Sequence, residues 1–358
     1  MATQPETRHI LVIGAGVIGL QSALTLLEEG QGRYKVSIVA EYMPGDDAGI
    51  YASAWAGAQW RSHETSFTEA AEWDVQTYRY WEQLVKNEDS VTGVAAVKGQ
   101  NYWRASPISS STPPAEHSDP WWSTYVRSYE RISPAELPPD TAFGARFDTF
   151  TVEVQAYLAY LLRRIEALGG QAARARLPTK QGFAAAVEAA SDVLDLPSRT
   201  HFWAVINASG IQSRDLVGDT NLYPIRGQTV QVRGVANYCI TRLGVEEGQR
   251  IAVMPRPTAG ITIIGVTVEP DVASTEINHD RVPELLNAAK PYCLELLGSD
   301  GEFDVVSIGV GIRPGRRGGA RIELEQISDL KVVHAYGVAG AGYQNSIGIA
   351  RKVLKLLS

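Results

Sequence analysis

The 358-residue chain has little cysteine and no long apolar run. Cys239 and Cys293 are too few for a disulfide framework, and their spacing matches no metal-binding motif, so we predict no metal site. No apolar run reaches the roughly 18 residues of a membrane-spanning helix, and the first residues lack the apolar core of a secretory signal. We expect a globular protein whose two cysteines are free and buried, or are joined to each other if the fold brings them together.

Positive charge is also scarce. The chain has 33 lysines and arginines against 40 aspartates and glutamates, which gives a formal net charge of −7. Because the basic surface of a nucleic-acid-binding protein is missing, we exclude nucleic acid as the main partner and expect a small-molecule ligand. The length is sufficient for two domains with a large core.

Glycine, by contrast, is placed where it is informative. An apolar run typical of a buried parallel strand, His9–Ile13, leads into a G-x-G-x-x-G motif and then a helical stretch, Leu20–Glu29. The first glycine allows a tight turn, the second lets the backbone approach a pyrophosphate, and the third lets the helix pack close to the strand. The motif consists of Gly14, Ala15, Gly16, Val17, Ile18 and Gly19.

A second predicted strand, Lys35–Val39, ends beside Glu41. This carboxylate lies about 20 residues after the last glycine of the motif, which is the spacing of an acid that binds a ribose hydroxyl. The helix N-terminus would direct free N–H groups towards phosphates. Together these features predict a dinucleotide-binding site, and the alternative is a glycine turn in an ordinary α/β domain.

The rest of the chain indicates an α/β protein with a second, mixed-sheet part. From Tyr223 onwards the pattern is that of antiparallel strands, and residues 99–142 are predicted as irregular structure with short strands of a second domain. We predict helices at Phe67–Val85, Val152–Leu168, Arg281–Leu297 and Ile347–Leu357. We predict strands at Gln171–Leu177, Thr229–Val232, Ile251–Met254, Ile261–Val268, Val305–Ile312 and Lys331–Tyr336. Ala204–Gly210 is predicted as a further apolar strand that breaks into small residues.

Three further segments suit a cofactor. Ile50–Trp60 combines small residues with aromatics, which fits close approach to a flat ligand, the alternative being a loop that fills a gap between sheets. Ser209 and Gly210 follow a strand and suit a cofactor edge. Gly337–Tyr343 leads from a strand into the last helix and offers a second set of N–H groups.

Six segments, in their order along the chain, resemble the D-amino-acid oxidase family, which includes the D-aspartate oxidases, and the fungal members most closely. The resemblance covers nearly the whole chain. It implies a Rossmann-like FAD-binding domain (residues 1–55, 145–222 and 305–358) interleaved with a mixed-sheet substrate-binding domain (residues 56–144 and 223–304). The segments are Gly14–Leu20, Tyr51–Trp60, Val205–Gly210, Gly311–Glu323, Val332–Gly348 and, more weakly, Ile225–Gln228.

The resemblance implies oxidative deamination of free D-amino acids to 2-oxo acids, ammonia and hydrogen peroxide, with FAD as cofactor and O2 as acceptor. Ala52 and Ser53 fall near the pyrophosphate, and residues 57–59 fall beside flavin N5. Motif and resemblance together assign to the cofactor Gly14, Ala15, Gly16, Val17, Ile18, Gly19, Glu41, Ala52, Ser53, Gly57, Ala58, Gln59, Leu177, Ser209, Gly210, Gly342, Tyr343 and Gln344.

Arg313 matches the family's carboxylate-binding arginine. A planar guanidinium can hold an α-carboxylate through two hydrogen bonds and so orient the substrate. The alternative is that Arg313, Arg316 and Arg317 form a solvated basic turn. Gly340 falls where the family uses a backbone carbonyl for the substrate amine, and Gln344 is assigned to the substrate side as well as to the flavin.

The substrate pocket departs from the usual family pattern. Ala252 stands where the family often has a tyrosine, and Thr267 stands where an aromatic residue or arginine is common. Arg61 and His63 could compensate by supplying a second cation for a dicarboxylic substrate, which favours acidic substrates such as D-aspartate slightly. Alternatively, these two side chains face solvent or pair with Glu64.

Two other functions stay open at this point. The missing pocket tyrosine keeps a glycine- or sarcosine-type flavin amine oxidase in view, and a flavin-binding protein without turnover is the other alternative. A nicotinamide dehydrogenase is disfavoured because the Arg313 motif and the C-terminal glycine loop have no place in one. Family members are often peroxisomal, but Lys355–Ser358 is not an S-K-L-type tripeptide, so a cytoplasmic protein is the other expectation. Whether the protein forms a homo-oligomer is left open.

Overall fold

The computed structural model describes residues 7–87, 90–105, 119–196, 202–244 and 249–358. The chain divides into two compact units. The first unit comprises Met1–Ala54, Leu158–Pro224 and Arg313–Ser358, and the second comprises Trp55–Tyr157 and Ile225–Ile312. Each unit is therefore assembled from separate stretches of the chain.

The described residues form helices and strands throughout both units. The α-helices are α1 (Val17–Glu29), α2 (Glu69–Asn87), α3 (Val154–Ala167), α4 (Phe183–Val193), α5 (Ser213–Leu216), α6 (Arg281–Ala289) and α7 (Gly342–Leu356). The strands are β1 (Arg8–Ile13), β2 (Tyr34–Ala40), β3 (Val94–Arg104), β4 (Glu130–Arg131), β5 (Thr141–Val152), β6 (Gln171–Arg174), β7 (Ala204–Asn207), β8 (Leu222–Arg233), β9 (Cys239–Leu243), β10 (Gln249–Arg256), β11 (Ile261–Thr267), β12 (Glu269–Pro270), β13 (Val305–Arg316), β14 (Arg321–Ile327) and β15 (Leu330–Tyr336).

The first unit is built on a six-stranded sheet in the order β14-β15-β7-β1-β2-β6. All neighbours are parallel except the edge pair β14 and β15. β1 is buried from Ile10 to Ile13, as expected for a strand covered on both faces. The chain leaves β1 for β2 on one side and returns to β7 on the other, so the order reverses between β1 and β7. Ligands bind at such a reversal, beyond the carboxyl ends of the strands.

The second unit contains a nine-stranded mixed sheet with the path β12-β8-β11-β10-β9-β3-β5-β4, and β13 pairs with β8. Along that path, neighbouring strands are antiparallel except that β3 and β9 run parallel. The α/β class and the change to a mixed sheet, both predicted from the pattern of the sequence, are confirmed.

Several predicted elements are corrected by the structure. The predicted helix Arg281–Leu297 ends at Ala289, because Pro291 has no amide hydrogen to continue it, and short 3-10 turns follow. The predicted strand Gln171–Leu177 ends at Arg174. Residues 99–142 include the two-residue strand β4 and irregular turns, as predicted, but also part of the long strand β3 and the start of β5, and residues 106–118 of that stretch lie outside the described residues. The sequence analysis missed α4 and β14.

The boundaries between the units also differ from those predicted. A boundary at 145 would cut β5, which pairs with β3 along its whole length, so the second unit continues to Tyr157. The other boundaries fall after Ala54, Pro224 and Ile312 instead of after residues 55, 222 and 304. The roles of the units in binding cofactor and substrate stay predictions.

Both cysteines are free and buried. The Cys293 thiol donates to the carbonyl oxygen of Ala289 at 3.4 Å, within its own helical region. Among the described residues, no helix combines the length and the apolar character needed to cross a membrane. The same part of the chain contains no group of three or more His, Cys, Asp or Glu side chains placed to hold a metal ion.

Candidate functional site

The turn from β1 into α1 requires its glycines. Gly14 has a φ of +110°, and a Cβ built on it would lie 2.4 Å from the carbonyl oxygen of Ala208, just after β7. A Cβ on Gly19 would lie 2.0 Å from the carbonyl oxygen of Gly14. Both distances are far below van der Waals contact with backbone atoms. The absence of side chains at these glycines therefore allows the N-terminus of α1, the end of β1 and the residues just after β7 to approach one another closely.

The Tyr51–Ser53 segment lies against the N-terminus of α1. The Ser53 hydroxyl accepts a hydrogen bond from the Val17 N–H at 3.0 Å, and the Tyr51 hydroxyl donates to the carbonyl oxygen of Ala15 at 2.7 Å. Burial raises the pKa of the Tyr51 phenol, so it stays a neutral donor at physiological pH. The segment predicted to lie near a pyrophosphate is thus positioned beside the glycine motif, within the first unit.

The N-terminus of α7 lies next to that of α1. The Tyr343 hydroxyl donates to the carbonyl oxygen of Ser53 at 2.8 Å, and a Cβ on Gly342 would lie 3.6 Å from a methyl group of Val17. Neither helix has an acidic residue in its first turn. Two helix N-termini side by side, with glycines lining the approach, suit a doubly charged pyrophosphate, and the residues present therefore fit FAD.

Glu41 follows β2 at the carboxyl edge of the first sheet. Its carboxylate accepts a hydrogen bond from the Gln212 side chain at 3.1 Å and lies 3.8 Å from the Arg176 guanidinium. Glu41 is therefore placed at the ligand edge of the sheet, and its role in binding a ribose stays a prediction. Leu177 lies beyond the end of β6 and is partly buried against the apolar cluster that α4 forms with the sheet, so its role is equally untested.

A buried polar network shapes the loop after β7. The side-chain Oδ1 of Asn207 accepts hydrogen bonds from the Ser209 N–H at 3.2 Å, the Ser209 hydroxyl at 2.7 Å and the Ser213 hydroxyl at 3.3 Å. The Asn207 amide nitrogen lies 3.3 Å from His334 Nδ1, and His334 Nε2 lies 2.8 Å from the Glu325 carboxylate. Burial lowers the pKa of His334, which keeps the ring neutral. The sequence analysis missed this network, whose members are far apart in the chain.

The three arginines near the end of β13 have different environments. Arg316 pairs with Asp219 at 2.8 Å. Burial acts to raise the pKa of Asp219, but hydrogen bonds from Arg316 and Tyr336 hold that pKa below its usual range.

The exposed Arg317 places its guanidinium 4.8 Å from the centre of the Tyr223 ring. Arg313 is half-buried, so the alternative of a wholly solvated turn is wrong, and its role as a carboxylate clamp stays a prediction.

Two other predicted substrate-side residues lie near the start of α7. Gly340 is exposed within a short 3-10 turn, Ala339–Ala341, that precedes the helix. Gln344 lies in the first turn of α7, and its side chain is buried. Both positions are compatible with the roles that the family resemblance gives them, which stay predictions.

In the second unit, residues 57–60 extend along the edge of β5. The Trp60 N–H donates to the carbonyl oxygen of Phe150 at 2.8 Å, and the Val152 N–H donates to that of Ala58 at 2.9 Å. Gln59 forms an isolated β-bridge with Thr151. We name residues 57–60 the β5-edge segment. Its backbone is held by a strand that lies about ninety residues away in the sequence.

Side chains of β9 fix the position of Gln59. The side-chain Nε2 of Gln59 donates to the Thr241 hydroxyl at 3.1 Å, and its side-chain Oε1 accepts from the Cys239 thiol at 2.6 Å. Burial raises the pKa of Cys239 to about 12, so the sulfur carries the hydrogen that it donates. Both ends of the Gln59 amide are therefore engaged, and this side chain holds the β5-edge segment to the sheet.

A buried ion pair lies behind the same segment. The Arg256 guanidinium, on β10, donates to the carbonyl oxygen of Gly57 and lies 3.1 Å from the Glu153 carboxylate. Arg256 is 1% exposed. Burial raises the pKa of Glu153, and the charge of Arg256 opposes that rise. The sequence analysis did not single out Arg256 or Glu153.

The two predicted pocket cations have different environments. Arg61 is 8% exposed and lies close enough to Cys239 for its charge to favour the thiolate. The alternative in which Arg61 faces solvent is therefore wrong, whereas His63 is exposed. The Glu64 carboxylate accepts a hydrogen bond from the Thr68 hydroxyl at 2.7 Å. The structure thus places a buried cation directly after the β5-edge segment.

The two unusual pocket positions are packed. Ala252 is buried in a small cluster with Cys239, Met254 and Ile263. The Thr267 hydroxyl accepts a hydrogen bond from the Gln228 N–H at 2.9 Å and is nearly inaccessible. The small side chains at these positions are therefore part of the interior of the second sheet.

The parallel sheet, its order reversal and the paired helix N-termini define a Rossmann-type dinucleotide-binding protein. Residues 9–356 match the DAO family of FAD dependent oxidoreductases. The chain belongs to this family, and it is a flavoenzyme with FAD as its cofactor. The resemblance drawn from the sequence motifs is confirmed.

Curated relatives match along almost the whole chain. The D-aspartate oxidase of Talaromyces thermophilus is 32% identical over 98% of this chain and 95% of that protein. The D-amino-acid oxidase of Fusarium vanettenii is 32% identical over 97% of this chain and 96% of that protein. The D-amino-acid oxidase of Schizosaccharomyces pombe is 28% identical over 98% of this chain and 96% of that protein.

Solved structures share the fold at lower identity. A glycine oxidase from Geobacillus kaustophilus superposes with a TM-score of 0.70 at 19% identity, covering 98% of this chain and 95% of that one. An FAD-bound L-alpha-glycerophosphate oxidase from Mycoplasma pneumoniae gives a TM-score of 0.69 at 15% identity, with coverages of 98% and 95%. At these identities the likeness establishes the fold.

Proposed function

We propose that this flavoenzyme oxidises free D-amino acids to 2-oxo acids with release of ammonia and hydrogen peroxide, and that it prefers acidic substrates such as D-aspartate. The first part rests on family membership and on curated relatives named D-amino-acid and D-aspartate oxidase. The preference rests on one observation, the buried cation Arg61 directly after the β5-edge segment.

The residues of this chain bind and orient the reactants. The glycine motif, Ser53 and the N-termini of α1 and α7 hold FAD, which when bound supplies the two-electron acceptor that O2 regenerates. Arg313 binds the α-carboxylate through two charge-assisted hydrogen bonds. The carbonyl oxygen of Gly340 accepts a hydrogen bond from the substrate amine. If the amine binds unprotonated, no side-chain base is needed.

Arg61 would bind the second carboxylate of an acidic substrate. A buried guanidinium that meets a carboxylate away from water makes a strong charge-assisted hydrogen bond, and truncating one partner of such a pair costs about 2–5 kcal/mol of binding. A substrate with a neutral side chain forms no such pair with Arg61. His63 is exposed, so we assign it only a secondary part in selecting acidic substrates.

A glycine- or sarcosine-type oxidase is the second candidate. The small side chain of Ala252 favours it, because the hydroxyl that the family often places there for the substrate carboxylate is missing. A glycine oxidase would need no cation for a side chain, so Arg61 would then have no part in selecting substrates.

The test compares substrates on the FAD-loaded protein by peroxide release. D-Aspartate, D-glutamate, D-alanine, D-valine, glycine, sarcosine and L-aspartate are measured side by side. We expect kcat/KM for D-aspartate to exceed that for D-alanine at least about tenfold, since one charge-assisted contact is worth more than 1.4 kcal/mol. A preference for glycine or sarcosine would support the second candidate, and a preference for neutral D-amino acids would remove the acidic assignment.

The compartment and the assembly state are separate proposals. Family resemblance favours a peroxisomal enzyme, with the cytoplasm as the alternative, and small molecules rather than nucleic acids or membranes as partners. Microscopy of an N-terminally tagged chain together with a peroxisomal marker tests the peroxisomal location. Sedimentation of the FAD-loaded protein tests whether it forms a homo-oligomer.

A further inference from the structure

The Arg256–Glu153 pair is placed to act on one peptide group of the β5-edge segment. The guanidinium contacts the carbonyl oxygen of Gly57 on one side and the Glu153 carboxylate on the other. Glu153 directly follows β5, and its backbone carbonyl accepts the Tyr157 N–H at 2.9 Å at the start of α3. The pair therefore joins β10, the end of β5 and the β5-edge segment, all within the second unit.

A buried ion pair contributes little net stability to the loop that it holds. Desolvating the two charges offsets most of their attraction, so apolar residues of similar volume would often serve stability equally well. The charge, however, does something that an apolar residue cannot do. A guanidinium on a carbonyl oxygen polarises the whole amide and makes its N–H a stronger donor.

The geometry decides where that donor points. Because the peptide group is planar and trans, the Gly57 carbonyl and the Ala58 N–H point in opposite directions. The carbonyl points at Arg256 on β10, so the Ala58 N–H points away from β10. Ala58 has a φ of +37°, and its own carbonyl accepts the Val152 N–H at 2.9 Å, which holds the next peptide group as well. The Gly57–Ala58 peptide is thus held in one orientation.

We propose that Arg256 and Glu153 are positioning residues that orient and polarise the Gly57–Ala58 peptide, so that its N–H donates to the isoalloxazine of bound FAD. The inference rests on the proposed placement of residues 57–59 beside the flavin. Arg256 supplies the polarising charge, and Glu153 moderates it and keeps the guanidinium in place. A donor at that position favours forms of the flavin that carry added negative charge.

Sulfite measures this property without turnover, because it adds to oxidised flavin and places negative charge on the ring. Arg256→Met removes the charge at similar length, Arg256→Lys keeps a charge, and Glu153→Gln leaves Arg256 with a neutral partner. Arg242→Met is the matched control, because Arg242 is also buried in this sheet but donates to the carbonyl oxygens of Pro139 and Asp140, at 3.3 and 2.8 Å.

The FAD-loaded variants are titrated with sulfite and assayed for kcat and KM. We expect Arg256→Met to raise the sulfite dissociation constant at least about tenfold and to lower kcat by a similar factor, with KM changed less than about twofold. Arg256→Lys should recover most of the loss. Glu153→Gln should change sulfite affinity in the opposite direction, tightening it about threefold, because the guanidinium then acts more fully on the carbonyl.

These outcomes separate polarisation from simple support. If the pair only supports the segment mechanically, the two variants will change sulfite binding in the same way. Weaker binding in both Glu153→Gln and Arg256→Met overturns the proposal, and so does unchanged binding in both. Glu153→Gln keeps the proposal testable if Arg256→Met does not fold. Arg242→Met should leave the sulfite constant within about twofold whatever it does to Tm.

The same data distinguish this inference from the proposed function. Loss of activity on all D-amino acids, with the expected sulfite pattern, would overturn the proposed function alone. Normal oxidation of D-amino acids by all variants, with unchanged sulfite binding, would overturn this inference alone.

Discussion

The two regions that we assign to FAD are built in opposite ways. In the first unit, the glycine motif and the N-termini of α1 and α7 use backbone groups and the absence of side chains. In the second unit, the β5-edge segment is held by the side chains of Arg256, Gln59 and Cys239. The backbone site depends on a few glycines that allow close approach, whereas the side-chain site depends on hydrogen bonds and charge contributed by several side chains. The first should fail completely when one glycine is lost, and the second should lose function in steps.

The largest effect is expected at Gly14. Gly14→Ala puts a methyl group 2.4 Å from a backbone oxygen at a φ of +110°, so the β1–α1 turn must open. We expect FAD affinity to fall by more than about a hundredfold, because the N-terminus of α1 no longer meets the pyrophosphate. Flavin fluorescence during reconstitution of the apoprotein measures the dissociation constant.

Gly32→Ala is the matched control for that experiment. Gly32 also has a positive φ, +72°, but a Cβ there would meet no atom within 4 Å. It should cost only about 1 kcal/mol of folding free energy and leave FAD affinity unchanged. Equal losses of affinity in both variants would show that backbone strain, and not the close approach at the ligand edge, determines binding.

The next largest effect is expected for the substrate clamp. Arg313→Ala should raise KM for every D-amino acid by about a hundredfold or more while FAD stays bound, because the α-carboxylate loses two charge-assisted hydrogen bonds. Steady-state peroxide assays and the visible flavin spectrum measure the two quantities. Arg317→Ala removes a neighbouring exposed arginine and should change KM less than about twofold. An unchanged KM in Arg313→Ala would rule out the clamp.

A smaller and selective effect is expected at Arg61. Arg61→Ala should lower kcat/KM for D-aspartate about tenfold to a hundredfold more than for D-alanine, since only the acidic substrate loses a partner. The ratio of the two values is the measurement, and it cancels any general damage to the fold. Arg79→Ala, an exposed arginine of α2 in the same unit, should leave the ratio unchanged. Parallel losses on both substrates would argue against side-chain recognition by Arg61.

The smallest effect is a pH dependence from the network after β7. The pKa of His334 is lowered by burial, so below the ordinary value of 6.5 the unfolded chain binds a proton that the folded protein does not. Stability is therefore fully present above pH 6.5 and is lost as the pH falls towards the folded-state pKa. His334→Gln should flatten the fall in Tm between pH 7 and 5 by about 2–4 °C.

His9 provides a check on that measurement. Burial also lowers its pKa, with help from the charge of Lys35, so it contributes to stability in the same direction. It lies on β1, where it bonds to Ser37 at 2.9 Å, away from the loop at Ser209. His9→Gln should flatten the Tm profile without changing how FAD affinity depends on pH, whereas His334→Gln should change both. If FAD affinity depends on pH in the same way in both variants, the His334 network does not influence FAD binding through the loop at Ser209.

Local patterns were sufficient for most of the architecture. The strand, glycine turn and helix at the start of the chain are encoded by neighbouring residues, and the structure shows them within three residues of the predicted bounds. Errors came where a pattern was interrupted, as at Pro291, or where a strand is rich in charged residues, as in β14, although the first five residues of that strand alternate between polar and apolar. The position of Glu41 at the sheet edge also followed from spacing, because βαβ units have similar lengths.

The sequence by itself determined the fold class, the glycine cradle and the family, because these depend on short runs whose spacing is preserved along the chain. Only the tertiary structure decided that Arg61 is buried and His63 exposed, two residues apart in one irregular segment. Only the tertiary structure likewise placed Arg256 and Glu153 behind Gly57. The physical reason is that burial and ion pairing depend on which strands become neighbours, and pairings across a hundred residues leave no periodic trace in the sequence.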